Sequence, residues 1–265
     1  MLYLFLLFVI GTIVGSFLNV CIHRLPRGES IIFPASHCPL CHQRLKAFDL
    51  VPILTYLFLR GQCRYCKAPI SSRYPLVEFM TGAFFVVAAI KFPLLSLSFW
   101  FAAVFSALLI IVFFVDLEQM VVPDVVSVGG ISLGLLYNLA RALAFPQAGE
   151  ANPFWSALAG VILGFLLFFL IGALGKFLFK KEAIGEGDLF LAAMLGACLG
   201  WQQLLLAVFL AYLLAGVVSL VLLAAGKLKM GDYVPFGPAL VSGGLVALFF
   251  GQQILNWYLN LFYVV

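Results

Sequence analysis

The run LLLAVFLAYLLAGVVSLVLLAA, residues 204–225, has no charged side chain across 22 positions. A helix needs about 20 mainly apolar residues to cross the hydrocarbon of a bilayer, and in lipid its backbone groups must be satisfied internally. Runs of this kind recur along the chain. Spans are predicted near residues 2–22, 75–92, 94–115, 124–144, 154–178, 188–200, 202–225 and 234–250, which makes eight, or seven if the pieces flanking Gly200-Trp201 form one bent helix. The whole sequence agrees: 65% of its 265 residues are hydrophobic and 10% charged, a membrane composition. Outer-membrane strands alternate over short segments with polar lumen faces, and LLFFLIGALGKFLF does not. The expected fold is therefore all-α, a polytopic membrane helical bundle of about eight spans. The first span lacks a basic flank and a small-x-small cleavage site, so it reads as retained. The amphipathic tail from Gln252 onward, with Trp257, Tyr258 and Tyr263, reads as interfacial.

Cations set the expected orientation. Alternating eight spans from an outside N-terminus leaves only Lys91 and Arg141 of the 15 Lys and Arg residues outside, and cytoplasmic loops are the ones enriched in these residues. The net charge of +4 then reports topology and contact with anionic headgroups. It gives no support to nucleic-acid binding.

Residues 23–74 break the apolar pattern. They hold 8 of the 15 cations, all three histidines and four of the six cysteines. Three parts follow: 1–22, a first transmembrane helix; 23–74, a cytosolic zinc-knuckle domain; and 75–265, the remaining transmembrane domain. Within the insertion, Cys38-Pro39-Leu40-Cys41 and Cys63-Arg64-Tyr65-Cys66 form two C-x-x-C knuckles separated by 21 residues, one beyond the usual window for paired zinc knuckles. Four thiolates so spaced can close a tetrahedron around a structural zinc ion, which supplies folding free energy to a segment too small for a core of its own. Disulfides are disfavoured by the reducing side on which the charges place the segment. His37 and His42 flank the first knuckle and read as surface residues; Cys21 and Cys198, in apolar runs, read as buried thiols.

Few acids touch the apolar runs, and such acids are the informative ones. Asp116 closes LLIIVFFVD, and Asp188 opens DLFLAAMLGACLG after Gly185-Glu186-Gly187. The topology sends both to the cytoplasmic side. Two carboxylates held within a few ångströms cannot both ionise cheaply, so one keeps a proton while the other activates water. That is the chemistry of an aspartic protease. The bland readings are that Asp188 caps its helix, that Asp116 marks the water boundary, and that Asp124, after Pro123, starts a helix.

These blocks together resemble the type IV prepilin peptidase family of GxGD aspartic membrane proteases. The likeness is carried by Gly15-Ser16-Phe17-Leu18-Asn19-Val20 with Arg24-Leu25-Pro26, by the two knuckles with Arg73-Tyr74-Pro75-Leu76-Val77-Glu78, by Asp116-Leu117-Glu118 with Val122-Pro123-Asp124, by Gly185-Glu186-Gly187-Asp188, and by Pro235-Phe236-Gly237-Pro238. His23 stands where relatives commonly carry Tyr. The resemblance implies that Asp116 and Asp188 are the catalytic pair, with Asp124 the fallback for the first. It implies a prepilin-like membrane substrate whose basic leader is cut after glycine at the cytoplasmic face of the bacterial inner membrane. It also implies methylation of the new N-terminus with S-adenosylmethionine; no glycine-rich loop after a strand marks where that cofactor binds. The alternatives are a presenilin-like intramembrane protease, which lacks the knuckles, and an ion-coupled transporter using Asp116 and Asp188, which should show internal repeats.

Overall fold

The computed structural model describes residues 1–144, 152–180, 185–229 and 234–263. Lys181 and Asp232 and the two last residues lie outside them. Among the described residues there are nine α-helices: α1 (Leu2–Arg24), α2 (Leu54–Phe58), α3 (Arg73–Lys91), α4 (Leu97–Gln119), α5 (Asp124–Ala144), α6 (Pro153–Phe179), α7 (Glu186–Leu199), α8 (Trp201–Ala224) and α9 (Gly237–Tyr263). Seven are long and apolar enough to cross a membrane. The exception besides the one-turn α2 is α7, the run expected as the sixth span. Its 14 residues rise about 21 Å, short of the roughly 30 Å of hydrocarbon. The helix stops where Gly200 takes φ +77°, and α8 starts directly after that turn. The tail expected at an interface is the continuation of α9, which runs through Gln252 to Tyr263 without a break.

The chain divides into two compact units, Met1–Ile111 and Val112–Val265, with the boundary inside α4. In the first, α1 packs on α3, and the contact is close because a Cβ on Gly15 would lie 2.7 Å from the Cα of Glu78. Asn19 of α1 donates to the carbonyl of Tyr74 at 3.1 Å. Glu78 is buried and accepts the backbone N–H of Ile53 at 2.7 Å, so a carboxylate on α3 fastens the segment that joins the two knuckles. Ahead of the first knuckle, Arg24 donates to the carbonyls of Ser30 and Pro34.

In the second unit α7 is the central piece. It runs antiparallel to α6, with Gly160 facing Gly196 and Gly164 facing Ala192, and parallel to α5, with Gly130 facing Met194 and Gly134 facing Ala197 and Cys198. Any side chain on Gly160 or Gly196 would strike the other's backbone, so these small residues let two helix axes approach without a hydrophobic driving force between them. The G-x-x-x-G spacings of α5 and α6 are thus used within one chain. Asn138 of α5 seals the contact, donating to Gly134 in its own helix and to Ala197 of α7, both at 3.0 Å. Cys198 adds a weak bond from Sγ to the Gly130 carbonyl. Cys21 and Cys198 are both buried, as their apolar settings predict.

Candidate active site

Four helix ends carry the polar residues of the second unit. α4 finishes at Gln119, where Met120 adopts φ +54° and its N–H caps the Asp116 carbonyl. Asp116, one turn earlier, is 6% exposed, and its Oδ2 accepts the Gly237 N–H at 3.0 Å. Gly237 is the first residue of α9. A Cβ there would sit 2.5 Å from Asp116 Oδ2 and 2.9 Å from Cγ, so the approach requires glycine.

Asp188 stands in the first turn of α7 and is half-buried. The N-cap is Gly185, so Asp188 occupies the third helical position and its carboxylate reaches back to the Gly185 N–H, as the acid of a capping box does. The capping reading is therefore half met. The same carboxylate also lies close enough to Asp116 for the two charges to interact. Gly187 fits tightly against Val122, which presses the Val122-Pro123 turn between α4 and α5 onto the start of α7. In this way α4 and α7, carrying acids 72 positions apart in sequence (188 − 116), bring the two within electrostatic range, with Asp116 held against the start of α9.

The other sequence candidates are exposed. Asp124 is exposed and opens α5, as an acid after proline suits a helix start. Glu118 and Glu186 are exposed as well. Gly237 has no role readable from the sequence alone, although the two prolines of Pro235-Phe236-Gly237-Pro238 signal a fixed turn at the head of a span.

The knuckles of the first unit are built alike. In each, the first cysteine's N–H bonds to a residue five further on, Cys38 to Gln43 and Cys63 to Ala68. Its carbonyl accepts from the residue after the second cysteine, His42 or Lys67, and both of these take positive φ, +56° and +62°. One bridge closes each loop, His37 with Arg44 and Gln62 with Pro69. The four sulfurs of Cys38, Cys41, Cys63 and Cys66 lie within 4.8 Å of one another, and Cys38 and Cys66 are 3.9 Å apart. Zn–S bonds of about 2.3 Å put the corners of a tetrahedron about 3.8 Å apart, so the donor set fits zinc. Burial pushes the Cys38 thiol up, but the N–H groups of Cys41 and Leu40 and the neighbouring thiols outweigh it and draw Cys38 down to about 7. Asp49 braces the second knuckle, accepting from Arg64 Nε at 2.6 Å and Tyr65 Oη at 2.9 Å. His37 and His42 are exposed and stand outside the sulfur cluster.

Purified protein is expected to carry one zinc ion per chain by elemental analysis. Cys66→Ser should lower retained zinc at least about tenfold, because a thiolate ligand is lost from a closed four-sulfur site. Full zinc content in that variant would remove Cys66 from the ligand set.

Comparison with known proteins agrees with both halves. Residues 9–92 match the model of the bacterial peptidase A24 N-terminal domain, and residues 103–220 match that of the type IV leader peptidase family. The chain is similar to a prepilin leader peptidase/N-methyltransferase of Aeromonas salmonicida, 33% identical over 98% of this chain and 94% of that protein. A protein of the same name from Myxococcus xanthus is 41% identical over 83% of this chain and 64% of its own length. Another, from Bacillus subtilis, is 33% identical over 97% and 98% respectively. No solved structure matches the chain significantly.

Proposed function

The chain belongs to the type IV leader peptidase family, and from that premise we propose that it is a membrane aspartic endopeptidase that also methylates its product. It removes the basic leader of type IV prepilin-like proteins after glycine, on the cytoplasmic side, and transfers a methyl group to the exposed N-terminal amine. What supports the peptidase half is Asp116, buried near the end of α4 and held by the Gly237 N–H at 3.0 Å, together with Asp188 in the first turn of α7 within electrostatic range of it. Neither a presenilin-like protease nor a transporter is favoured: the relatives are named for prepilin processing, and the four-cysteine module has no part in either alternative.

The mechanism uses the pair as one acid and one base. The ionised aspartate takes a proton from a water molecule, whose oxygen attacks the carbonyl carbon of the leader's glycine. The protonated aspartate donates a hydrogen bond to the carbonyl oxygen as charge builds on it. When the tetrahedral intermediate collapses, the C–N bond breaks and the leaving nitrogen receives a proton. The amine so released is the one methylated next. The substrate's hydrophobic helix lies in the bilayer beside the bundle, while its charged leader stays in water.

The chain is organised as a first transmembrane helix, 1–22, a cytosolic zinc-knuckle domain, 23–74, and a transmembrane peptidase domain, 75–265, in the inner membrane. Cys38, Cys41, Cys63 and Cys66 would hold a zinc ion as a four-sulfur set, and the chemistry it would supply is structural, shaping the 23–74 module. S-adenosylmethionine is the methyl donor that the second activity requires. The buried Asn19 Oδ1, which has no partner among the described residues, does not mark its site. It is enclosed in the α1–α3 contact, where the same side chain donates to the Tyr74 carbonyl.

Purified protein in proteoliposomes, mixed with a prepilin-like substrate and labelled S-adenosylmethionine, should release the leader and label only the trimmed product. Intact substrate after prolonged incubation with zinc-replete protein would overturn the peptidase half. Cleavage without label would overturn the methyltransferase half.

A further inference from the structure

The turn that presents Gly237 to Asp116 is gripped by two other helices. Phe236, the residue before Gly237, stands between Phe168 of α6 and Tyr212 of α8, with ring centroids 6.0 and 4.9 Å away and tilts of 45° and 41°. Phe168 is fully buried and forms a fixed wall, whereas Tyr212 is 42% exposed. The Phe236 carbonyl accepts the N–H groups of Ala239 and Leu240, so ring and helix start move as one piece. Any sliding of the Phe236 ring therefore carries the Gly237 N–H with it. Tyr212 also lies close enough to Asp188 for the two to interact electrostatically. One residue of α8 thus packs on the Phe236 turn that meets Asp116 and lies within electrostatic range of Asp188.

We propose that Tyr212 is a positioning residue for cleavage, its ring clasping Phe236 against Phe168 so that the Gly237 N–H stays on Asp116. The inference rests on the peptidase reading of that pair. Tyr212 forms no bond in the reaction, and its ring does the holding. Tilted rings at these separations attract beyond their buried area, and the preference for a fixed offset gives the clasp its direction. Leucine keeps an apolar contact but has no ring to impose such an orientation.

The test compares Tyr212→Phe and Tyr212→Leu in proteoliposomes on a prepilin-like substrate, with thermal unfolding and methylation of an already trimmed peptide as parallel readouts. Tyr212→Phe should cleave within about twofold of wild type. Tyr212→Leu should lose about tenfold or more in kcat with KM little changed, since misplacing a reacting group by a fraction of an ångström acts on the barrier and leaves binding alone. Its unfolding temperature and methylation should stay at wild-type values. Phe236→Leu, from the opposite side of the same contact, should reproduce the kcat loss, and the double variant should lose no more than the worse single one. Full kcat in Tyr212→Leu overturns the proposal. So does an equal loss in Tyr212→Phe, which would assign the effect to the hydroxyl, and so does a parallel fall in unfolding temperature and methylation, which would make the role merely structural. Should Tyr212→Leu fail to fold, Phe236→Leu decides on the same criteria. Wild-type protein that cleaves nothing would refute the peptidase reading itself, a result distinct from any of these.

Discussion

Asp116→Asn and Asp188→Asn should each lower kcat/KM for leader removal by on the order of 10³-fold or more, with methylation of an already trimmed peptide and zinc content unchanged. Asparagine keeps the shape of the side chain and can still accept the Gly237 N–H, so packing around the 6%-exposed Asp116 is preserved. What disappears is the capacity of two oxygens to share one proton. A lone carboxylate can activate water, but the asparagine amide has no acidic proton to give up as charge builds on the carbonyl oxygen; a lone acid can donate, but no base generates the nucleophile. Members of such a unit are strongly non-additive, so the double variant should be no slower than the worse single one. Asp124→Asn is the control: exposed at the start of α5, it should retain cleavage within about threefold, as surface positions do. A variant at Asp116 or Asp188 that cuts at the wild-type rate would end that residue's catalytic assignment, and loss at Asp124 alone would transfer the role to it.

What could be read from the sequence depended on whether the signal was local. The two knuckles are local: four cysteines at fixed spacing bring their sulfurs together because each loop is closed by its own backbone hydrogen bonds. The aspartates stood out as candidates because acids at the ends of apolar runs are costly unless used. Span lengths were legible only where breakers are. Gly200 turns the chain and leaves α7 at 14 residues, a shortening that hydrophobicity alone conceals, since the residues on both sides are equally apolar. Polar residues from Gln252 onward read as the end of a span, yet helix propensity carries α9 on to Tyr263. The contacts made by backbone were the least legible. Nothing in Pro235-Phe236-Gly237-Pro238 says which carboxylate its amide will meet, and Phe168, Phe236 and Tyr212 come from three separate stretches of chain. Likewise Glu78 reads as one acid at a membrane edge until its partner, the Ile53 N–H, is located 25 residues upstream (78 − 53).

Gly237→Ala should reduce kcat by about 10²-fold while leaving KM within about threefold and the unfolding temperature unchanged or higher. The two directions follow from different properties of one methyl group. Alanine is the better helix former by about 1 kcal/mol, and Gly237 opens α9, so the added Cβ does not weaken the helix. It does, however, fall 2.5 Å from Asp116 Oδ2 and 2.9 Å from Cγ, distances that real Cβ atoms do not tolerate. Either the carboxylate rotates away or the head of α9 backs off, and both break the 3.0 Å bond that orients Asp116. A catalytic group so displaced loses rate, whereas substrate binding, spread over a leader and a membrane helix, is little affected. Kinetics on a prepilin-like substrate together with thermal scanning separate these effects: a stable, binding-competent but slow enzyme is the expected outcome. Wild-type kcat in Gly237→Ala would show that the backbone bond to Asp116 is dispensable and that the aspartates are held in place by their own helices alone.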